Sequence, residues 1–328
     1  MKAVDLEFRH VSRAYEGLVA VKDLSFQVPA GKICVLVGPS GCGKTTSLKM
    51  VNRLIEPTSG QILVGGQDIM GQDPIALRRG IGYVIQQVGL MPHLTVGGNI
   101  AIVPRLLGWD AERIKARIDE LLALVGLEPG SYRARFPTQL SGGERQRVGV
   151  ARALAVDPPL MLMDEPFAAV DPIVRERLQN ELLHLQEQLA KTIVFVTHDI
   201  DEAIKMGDLV AVLEVGGVLA QFGPPDEILG KPASDFVARF VGADRGLKRL
   251  SLAQVSDLKL EPAPPDFQPQ PGQPMLEPQT TLKDALSMML VADVSAGVVS
   301  DRDGHVMGLL TYDEIAASLR EPRDGEGA

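Results

Sequence analysis

The nine residues Gly38-Pro39-Ser40-Gly41-Cys42-Gly43-Lys44-Thr45-Thr46 combine bare backbone, one ammonium and a run of hydroxyls, which is equipment for holding phosphate. They fit the spacing G-x-x-x-x-G-K-[ST]: backbone N–H groups cradle phosphate oxygens, Lys44 reaches the β and γ oxygens, and Thr45 reaches Mg²⁺. Far downstream, Leu140-Ser141-Gly142-Gly143-Glu144-Arg145-Gln146 forms a second glycine-rich cradle. It carries no lysine at the cradle, so it makes sense as a cap on phosphates already bound elsewhere. Ser141 and Glu144 are also spaced as an N-terminal capping box, a purely structural reading. That reading leaves Gly142 and Gly143 unexplained, because glycine in a first helical turn costs up to roughly 1 kcal/mol against alanine. Bare backbone at a helix N-terminus suits a close-approaching anion.

These residues need a scaffold that brings loops from distant sequence together. Leu6 to Val37 is short and β-branched with turns at Glu16-Gly17 and Pro29-Ala30-Gly31, which reads as several strands. Ile33 to Val37 is a buried strand feeding the first cradle, and a helix should follow from Lys44 to about Leu54. Ala111 to Val125 has helical spacing, with Gly126 as its C-cap. Leu160 to Met163 and Thr192 to Val196 are continuous apolar runs of strand length, separated by the amphipathic 173–189. That arrangement predicts a parallel sheet buried on both faces with a crossover helix, whose chemistry sits at the strand carboxyl ends. Both runs end in polar residues suited to it, Asp164-Glu165 and Thr197-His198.

The 328 residues allow two domains, since one core commonly takes roughly 100 to 200 residues. A net charge of −9 argues against a nucleic-acid partner. The two cysteines, Cys34 in a strand pattern and Cys42 in the cradle, imply neither a disulfide framework nor a zinc site. The longest apolar runs fall far short of the roughly 20 residues needed to cross a bilayer. Met1-Lys2-Ala3-Val4-Asp5 leads into no apolar h-region, so no signal peptide is expected.

Taken together, the two cradles resemble the nucleotide-binding subunit of ABC transporters, and the resemblance runs from residue 1 to about 245 with the motifs in family order. It implies an α/β P-loop NTPase fold: a mixed core sheet with helices, an antiparallel β subdomain and an α-helical subdomain. Met163-Asp164-Glu165-Pro166 resembles the Walker B end, where the aspartate orients Mg²⁺ and the glutamate polarises the attacking water. Ala168-Ala169-Val170-Asp171 resembles the D-loop, with Asp171 in the aspartate position, and His198 the switch histidine that contacts the γ-phosphate. Gln86 resembles the Q-loop glutamine, a metal contact and a link to the membrane subunit; its neighbour Gln87 competes for the role, and strand register favours Gln86. Tyr15 stands at the spacing of the aromatic that stacks on adenine. The implied catalytic set is Glu165, His198, Lys44 and Gln86, with Thr45, Gln86 and Asp164 toward Mg²⁺. ATP is then held by Tyr15, by Gly38 through Thr46, and by Ser141, Gly142, Gly143, Glu144, Gln146 and Asp171. The last group would come from a second copy in a head-to-tail ATP-sandwich homodimer.

Lys49-Met50-Val51-Asn52-Arg53-Leu54 and Phe240-Val241-Gly242-Ala243-Asp244-Arg245 look like the ATPases of bacterial importers of glycine betaine, choline or carnitine. That resemblance implies transmembrane permease subunits, a periplasmic or extracellular substrate-binding protein, and a peripheral place on the cytoplasmic side of the inner membrane. Leu90-Met91-Pro92-His93-Leu94 is an apolar loop patch suited to docking, or alternatively to internal packing. Seven prolines between Pro262 and Pro278 read as a linker or strap. Beyond it, Thr281–Leu290, Ala296–Ser300, Val306–Leu310 and Asp313–Leu319 follow the order of a single CBS-like repeat, an α+β regulatory module. The expected division is 1–245 ATPase, 246–280 linker and 281–328 CBS-like repeat. In that repeat Glu314 stands where many adenosine-binding repeats have aspartate, and it equally completes a capping box on Thr311. Three rival functions stand beside this one: an importer ATPase for another small polar solute such as an amino acid, a soluble ABC ATPase acting on nucleic acid or ribosomes, and a nucleotide sensor without turnover.

Overall fold

Burial separates the strands into two kinds. β1 (Leu6–Tyr15) and β2 (Leu18–Val28) mix buried and exposed positions, as antiparallel strands with one solvated face do, whereas every residue of β3 (Ile33–Val37) is buried. β4 (Ser59–Val64) and β5 (Gln67–Asp68) complete an antiparallel sheet in the order β2-β1-β4-β5. β3 belongs to a second sheet with β6 (Ile81–Val84), β7 (Leu160–Asp164), β8 (Thr192–Thr197), β9 (Leu209–Glu214) and β10 (Val218–Gly223). Its order is β10-β9-β3-β8-β7-β6, with β10 antiparallel to β9 and the other pairings parallel. The structure is a computed structural model that describes residues 2–86, 89–168, 170–264, 267–269 and 272–320, so Gln87, Ala169, Pro265 and Pro271 lie outside it.

One apolar cluster joins the two sheets. Phe8 and Phe26 of the antiparallel sheet stack at 4.7 Å, in the same buried cluster as Leu36, Leu160 and Val194 of the parallel strands. The helix Lys44–Val51 threads this cluster, with Leu48, Met50 and Val51 fully buried. The helix 111–124, expected from its spacing, is capped by the Asp110 carboxylate, which accepts from Arg113 N. Helix Pro172–Leu189 crosses from β7 to β8, as the two apolar runs required.

The chain divides into two compact units, Met1–Pro224 and Pro225–Ala328. In the second, β11 (Met275–Leu276), β12 (Ala296–Ser300) and β13 (Val306–Thr311) form a sheet in sequence order, packed with helices Leu282–Val291 and Tyr312–Ser318. The β-α-β-β-α order expected of the tail is therefore present. Its boundaries differ from expectation, because the 246–280 stretch is not a bare linker. Leu250, Val255 and Leu276 are buried in one core with Leu282, Met289 and Leu310, and Glu261 bridges to Leu309. Glu314 closes a capping box, accepting from Thr311 N at 2.7 Å and from Thr311 Oγ1 at 3.0 Å.

Candidate functional site

The strand registers bring the chemistry to one line. Val37 pairs with Thr197, Val196 with Asp164, and Met163 with Val84, so β3, β8, β7 and β6 end level with one another. The residues that follow those ends, Gly38, His198, Glu165 and Gln86, share one edge of the parallel sheet.

The first cradle turns sharply off β3. Gly43 sits at φ 92°, and a Cβ there would lie 2.3 Å from Ala20 O, so neither the backbone conformation nor the space admits a side chain. Gly38 is equally confined, with a built Cβ 2.2 Å from Leu213 O, while Gly41 at φ 79° faces open space. Lys44 is buried, and its ammonium donates to Gly38 O at 2.8 Å and Pro39 O at 3.0 Å, holding the charge within the loop. Cys42 is buried beside it, and burial pushes its thiol upward while Lys44 pulls it down. Ser40 and Gly41 are exposed; Thr45 and Thr46 are half-buried on the helix that follows.

Thr45 Oγ1 donates to Asp164 Oδ1 at 2.9 Å, joining the cradle to the end of β7. Asp164 is buried, and that burial raises its carboxyl above the ordinary aspartate range despite the Thr45 hydrogen bond. Glu165 adopts φ 44°, a left-handed conformation uncommon for a non-glycine residue, pinned by its N–H donating to Val196 O at 2.9 Å. The turn aims its carboxylate between two partners. Gln86 Nε2 donates to Oε2 at 3.0 Å, and His198 Nδ1 stands 3.4 Å from Oε1. Gln87 lies outside the described residues.

A layer beneath His198 escaped sequence reasoning. Thr197 Oγ1 donates to buried Glu202 at 2.6 Å, and Gln179 donates to its other oxygen at 3.3 Å. Burial raises the Glu202 carboxyl. Arg175 donates to Val170 O at 3.2 Å and stands 3.8 Å from Asp199, tying the stretch before Asp171 to the stretch after His198. Charged residues near the starts of two helices, Arg175 after Asp171 and Glu202 after Asp199, were the available signal, but only the fold shows that they meet.

The second cradle divides its two glycines. Ser141 and Glu144 form the reciprocal capping box of helix Gly142–Ala153, with Ser141 N donating to Glu144 Oε2 at 2.7 Å. Tyr132 Oη donates to Glu144 Oε1 at 2.5 Å, and this bond is the chief reason the Glu144 carboxyl is lowered to about 2. A Cβ on Gly142 would meet nothing within 4 Å, so its absence has no packing reason. Gly143 differs: it is buried, and its Cβ would lie 3.2 Å from Val174 Cγ1, so packing explains it. Gln146 is also displaced from the expected role. It lies 4 % exposed between helices, which corrects its assignment to nucleotide contact. Asp171 caps helix Pro172–Leu189 by accepting from Val174 N at 3.1 Å, and Tyr15 is partly exposed with the Arg13 guanidinium 4.4 Å above its ring. Among the described residues, no hydrogen bond joins Ser141–Glu144 to the Gly38–Thr46 loop.

On either side of Gln86 the chain exposes Ile85, Met91, Pro92 and His93, so internal packing does not account for the patch. Buried Asn99 shapes it, accepting from Met91 N and donating to the carbonyls of Met91, Leu94 and Thr95. Arg152, near the end of the helix that Ser141 begins, donates to Gly89 O at 2.6 Å.

Residues 21–168 match a family profile described as ABC transporter. The chain is 47% identical over 327 residues to the osmoprotectant import ATP-binding protein OsmV of Salmonella typhimurium, spanning 100% of this chain and 81% of that one. It is 46% identical over 311 residues to the glycine betaine/carnitine/choline transport ATP-binding protein OpuCA of Bacillus subtilis, spanning 94% and 79%. Among solved structures, the ATP-binding cassette MJ0796, described as a dimer in a post-hydrolysis state with ADP and Pi, superposes with a TM-score of 0.60 at 32% identity, covering 67% of this chain and 98% of that one.

Proposed function

The chain belongs to the ATP-binding subunits of ABC transporters, and on that premise we propose that it powers import of a quaternary ammonium osmoprotectant of the glycine betaine, choline and carnitine class. The observation that carries the catalytic half is Glu165 held between Gln86 and His198 at the strand ends. The cargo half rests on the relatives, which match nearly the whole chain.

The reaction is hydrolysis of ATP. A water oxygen attacks the γ-phosphorus, the bond to the β–γ bridging oxygen breaks, and ADP leaves. Glu165 takes the water's proton, and His198 contacts the γ-phosphate. Lys44 and the backbone N–H groups of Gly38 to Thr46 hold the phosphates, so catalysis lies in positioning and charge. Thr45, Asp164 and Gln86 offer only hard oxygen donors, and a buried carboxylate with a raised pKa is a site that a cation relieves; this set fits Mg²⁺. When bound, Mg²⁺ neutralises charge on the β and γ phosphates.

Two copies close head to tail, each presenting Ser141, Gly142 and the N-terminus of its helix to the other's ATP, and Tyr15 stacks on adenine. The patch of exposed Ile85, Met91, Pro92 and His93 docks on permease subunits at the cytoplasmic face of the membrane, and a binding protein delivers cargo from outside. The tail acts as a CBS-like regulator. The test has two arms. Glu165→Gln should lower phosphate release at least about a hundredfold while ATP still binds, because it removes the proton acceptor alone; retained turnover would take Glu165 out of this role. Proteoliposomes containing the permease partners should take up labelled glycine betaine, choline or carnitine with ATP, and preference for an amino acid would replace the cargo.

A further inference from the structure

His198 lacks the packing that would fix a catalytic side chain. Its imidazole is exposed, and a cavity of about 40 Å³ lies against it, walled also by Glu165, Arg175 and Glu202. Hydrogen bonds to the backbone around it must do the fixing. Thr197, buried at the end of β8, supplies them: its hydroxyl donates to Glu202 Oε2 at 2.6 Å and accepts from Asp199 N at 3.1 Å. One oxygen thus joins both neighbours of His198 to a third residue, on helix Ile200–Met206. The other oxygen of Glu202 is held from helix Pro172–Leu189, where Gln179 Nε2 donates to it at 3.3 Å and Arg175 Nε stands 3.9 Å away. A carboxylate this buried is costly even when paired, and an apolar side chain in its place is often neutral or stabilising. Glu202 is therefore poorly explained by stability and better explained by the geometry it specifies.

We propose that Glu202 is a positioning residue for ATP hydrolysis: by holding the Thr197 hydroxyl it clamps the backbone on both sides of His198 and so sets the imidazole against Glu165. This role rests on His198 as the γ-phosphate contact and Glu165 as the proton acceptor. Arg175 extends the clamp, donating to Val170 O at 3.2 Å and standing 3.8 Å from Asp199. One network therefore holds both the histidine and the turn that leads into Asp171.

Two substitutions separate acceptor from shape. Glu202→Gln keeps an oxygen for the Thr197 hydroxyl, whereas Glu202→Met keeps the volume and removes the acceptor. In the assembled transporter Glu202→Met should lower kcat for phosphate release about tenfold with KM for ATP nearly unmoved, and Glu202→Gln should stay within about threefold of the unaltered chain. In NMR of the full chain, the imidazole signals of His198, assigned through His198→Ala, should shift in Glu202→Met while those of exposed His184 and His305 stay in place. A loss of stability alone would not single out His198. Should Glu202→Met fail to fold, Thr197→Val against Thr197→Ser repeats the comparison from the other end of the bond, with turnover lost in the first and kept in the second. Undiminished kcat in Glu202→Met, unmoved His198 signals, or equal turnover in the two Thr197 variants overturns the proposal. So does a loss in Glu202→Gln as deep as in Glu202→Met, which would assign the effect to charge. His198→Ala tells this failure from that of the underlying reading. Undiminished kcat there removes His198 from the machinery and the clamp with it, while a low kcat there beside an unaltered one in Glu202→Met overturns the clamp alone.

Discussion

Burial lifts the Asp164 carboxyl above its ordinary range, with the Thr45 hydroxyl and the nearby Lys49 and Lys44 pulling the other way. A carboxyl whose folded pKa exceeds its unfolded one makes the folded state bind the extra proton, so stability falls as pH rises through that window. The penalty is present wherever the carboxyl is ionised. Asp164→Asn keeps an acceptor for Thr45 and removes the charge, so the nucleotide-free chain should gain on the order of 1 kcal/mol in urea unfolding at pH 7. The gain should shrink as pH falls toward the ordinary aspartate value of 3.8. A loss of stability at pH 7 would mean that the charged form is favoured in place. Gly142 poses the opposite question, because nothing in the fold needs it bare. Gly142→Ala should therefore leave folding intact or improve it by up to about 1 kcal/mol, yet lower phosphate release in the assembled transporter. Unchanged release would return Ser141 to Glu144 to the role of a plain capping box.

Helix Gly142–Ala153 is fixed at both ends by contacts from other elements: Tyr132 on Glu144 at its start and Arg152 on Gly89 O near its finish. Tyr132 is the larger reason the Glu144 carboxyl lies at about 2. A depressed carboxyl contributes stability that is present above its unfolded pKa and lost as pH falls through the folded value. Tyr132→Phe should raise the Glu144 titration midpoint, read by ¹³C NMR of the side-chain carboxyl, and move the acid loosening of this helix start to higher pH. An unmoved midpoint would assign the depression to the capping box. The same helix shows what sequence could and could not convey. Ser141, Glu144 and the glycine pair were legible because capping and phosphate binding are local, fixed by spacing within one turn. The cradle after β3 and the acids after β7 were legible for the same reason. Gln146 misled because its neighbourhood is made by Val150, Phe167 and Leu178, which share no spacing rule with it. Tyr132, Arg152, Arg175 and Glu202 stayed silent, since each acts through a partner on another element. Val174, which packs on Gly143, makes the same point: one of two adjacent identical residues serves packing and the other does not.

At the scale of the whole chain, the proline run drew attention away from the residues that mark a unit boundary. The second compact unit begins at Pro225, so helices Pro225–Gly230 and Asp235–Val241 belong with the tail by contact although the family resemblance runs through them. Arg249 shows the physical reason. Its guanidinium pairs with Asp226, Nε to Oδ1 at 2.7 Å, and donates to Leu319 O at 2.8 Å, with both charged partners largely shielded from water. A fragment cut at 246 would keep Arg249 and the acceptor at Leu319 but lose Asp226, leaving a shielded cation half answered. It would also uncover helix Arg245–Ser251 where Pro225–Gly230 packs against it. The fragment 225–328 should therefore unfold cooperatively in urea, and 246–328 should be weaker by about 2–4 kcal/mol or fail to show a folded baseline. Asp226→Asn in the longer fragment should reproduce part of that deficit and no more, since it removes the charge and leaves the helix packed. Equal midpoints for the two fragments would place the boundary at 245 and make the Asp226 pair a surface contact of little weight.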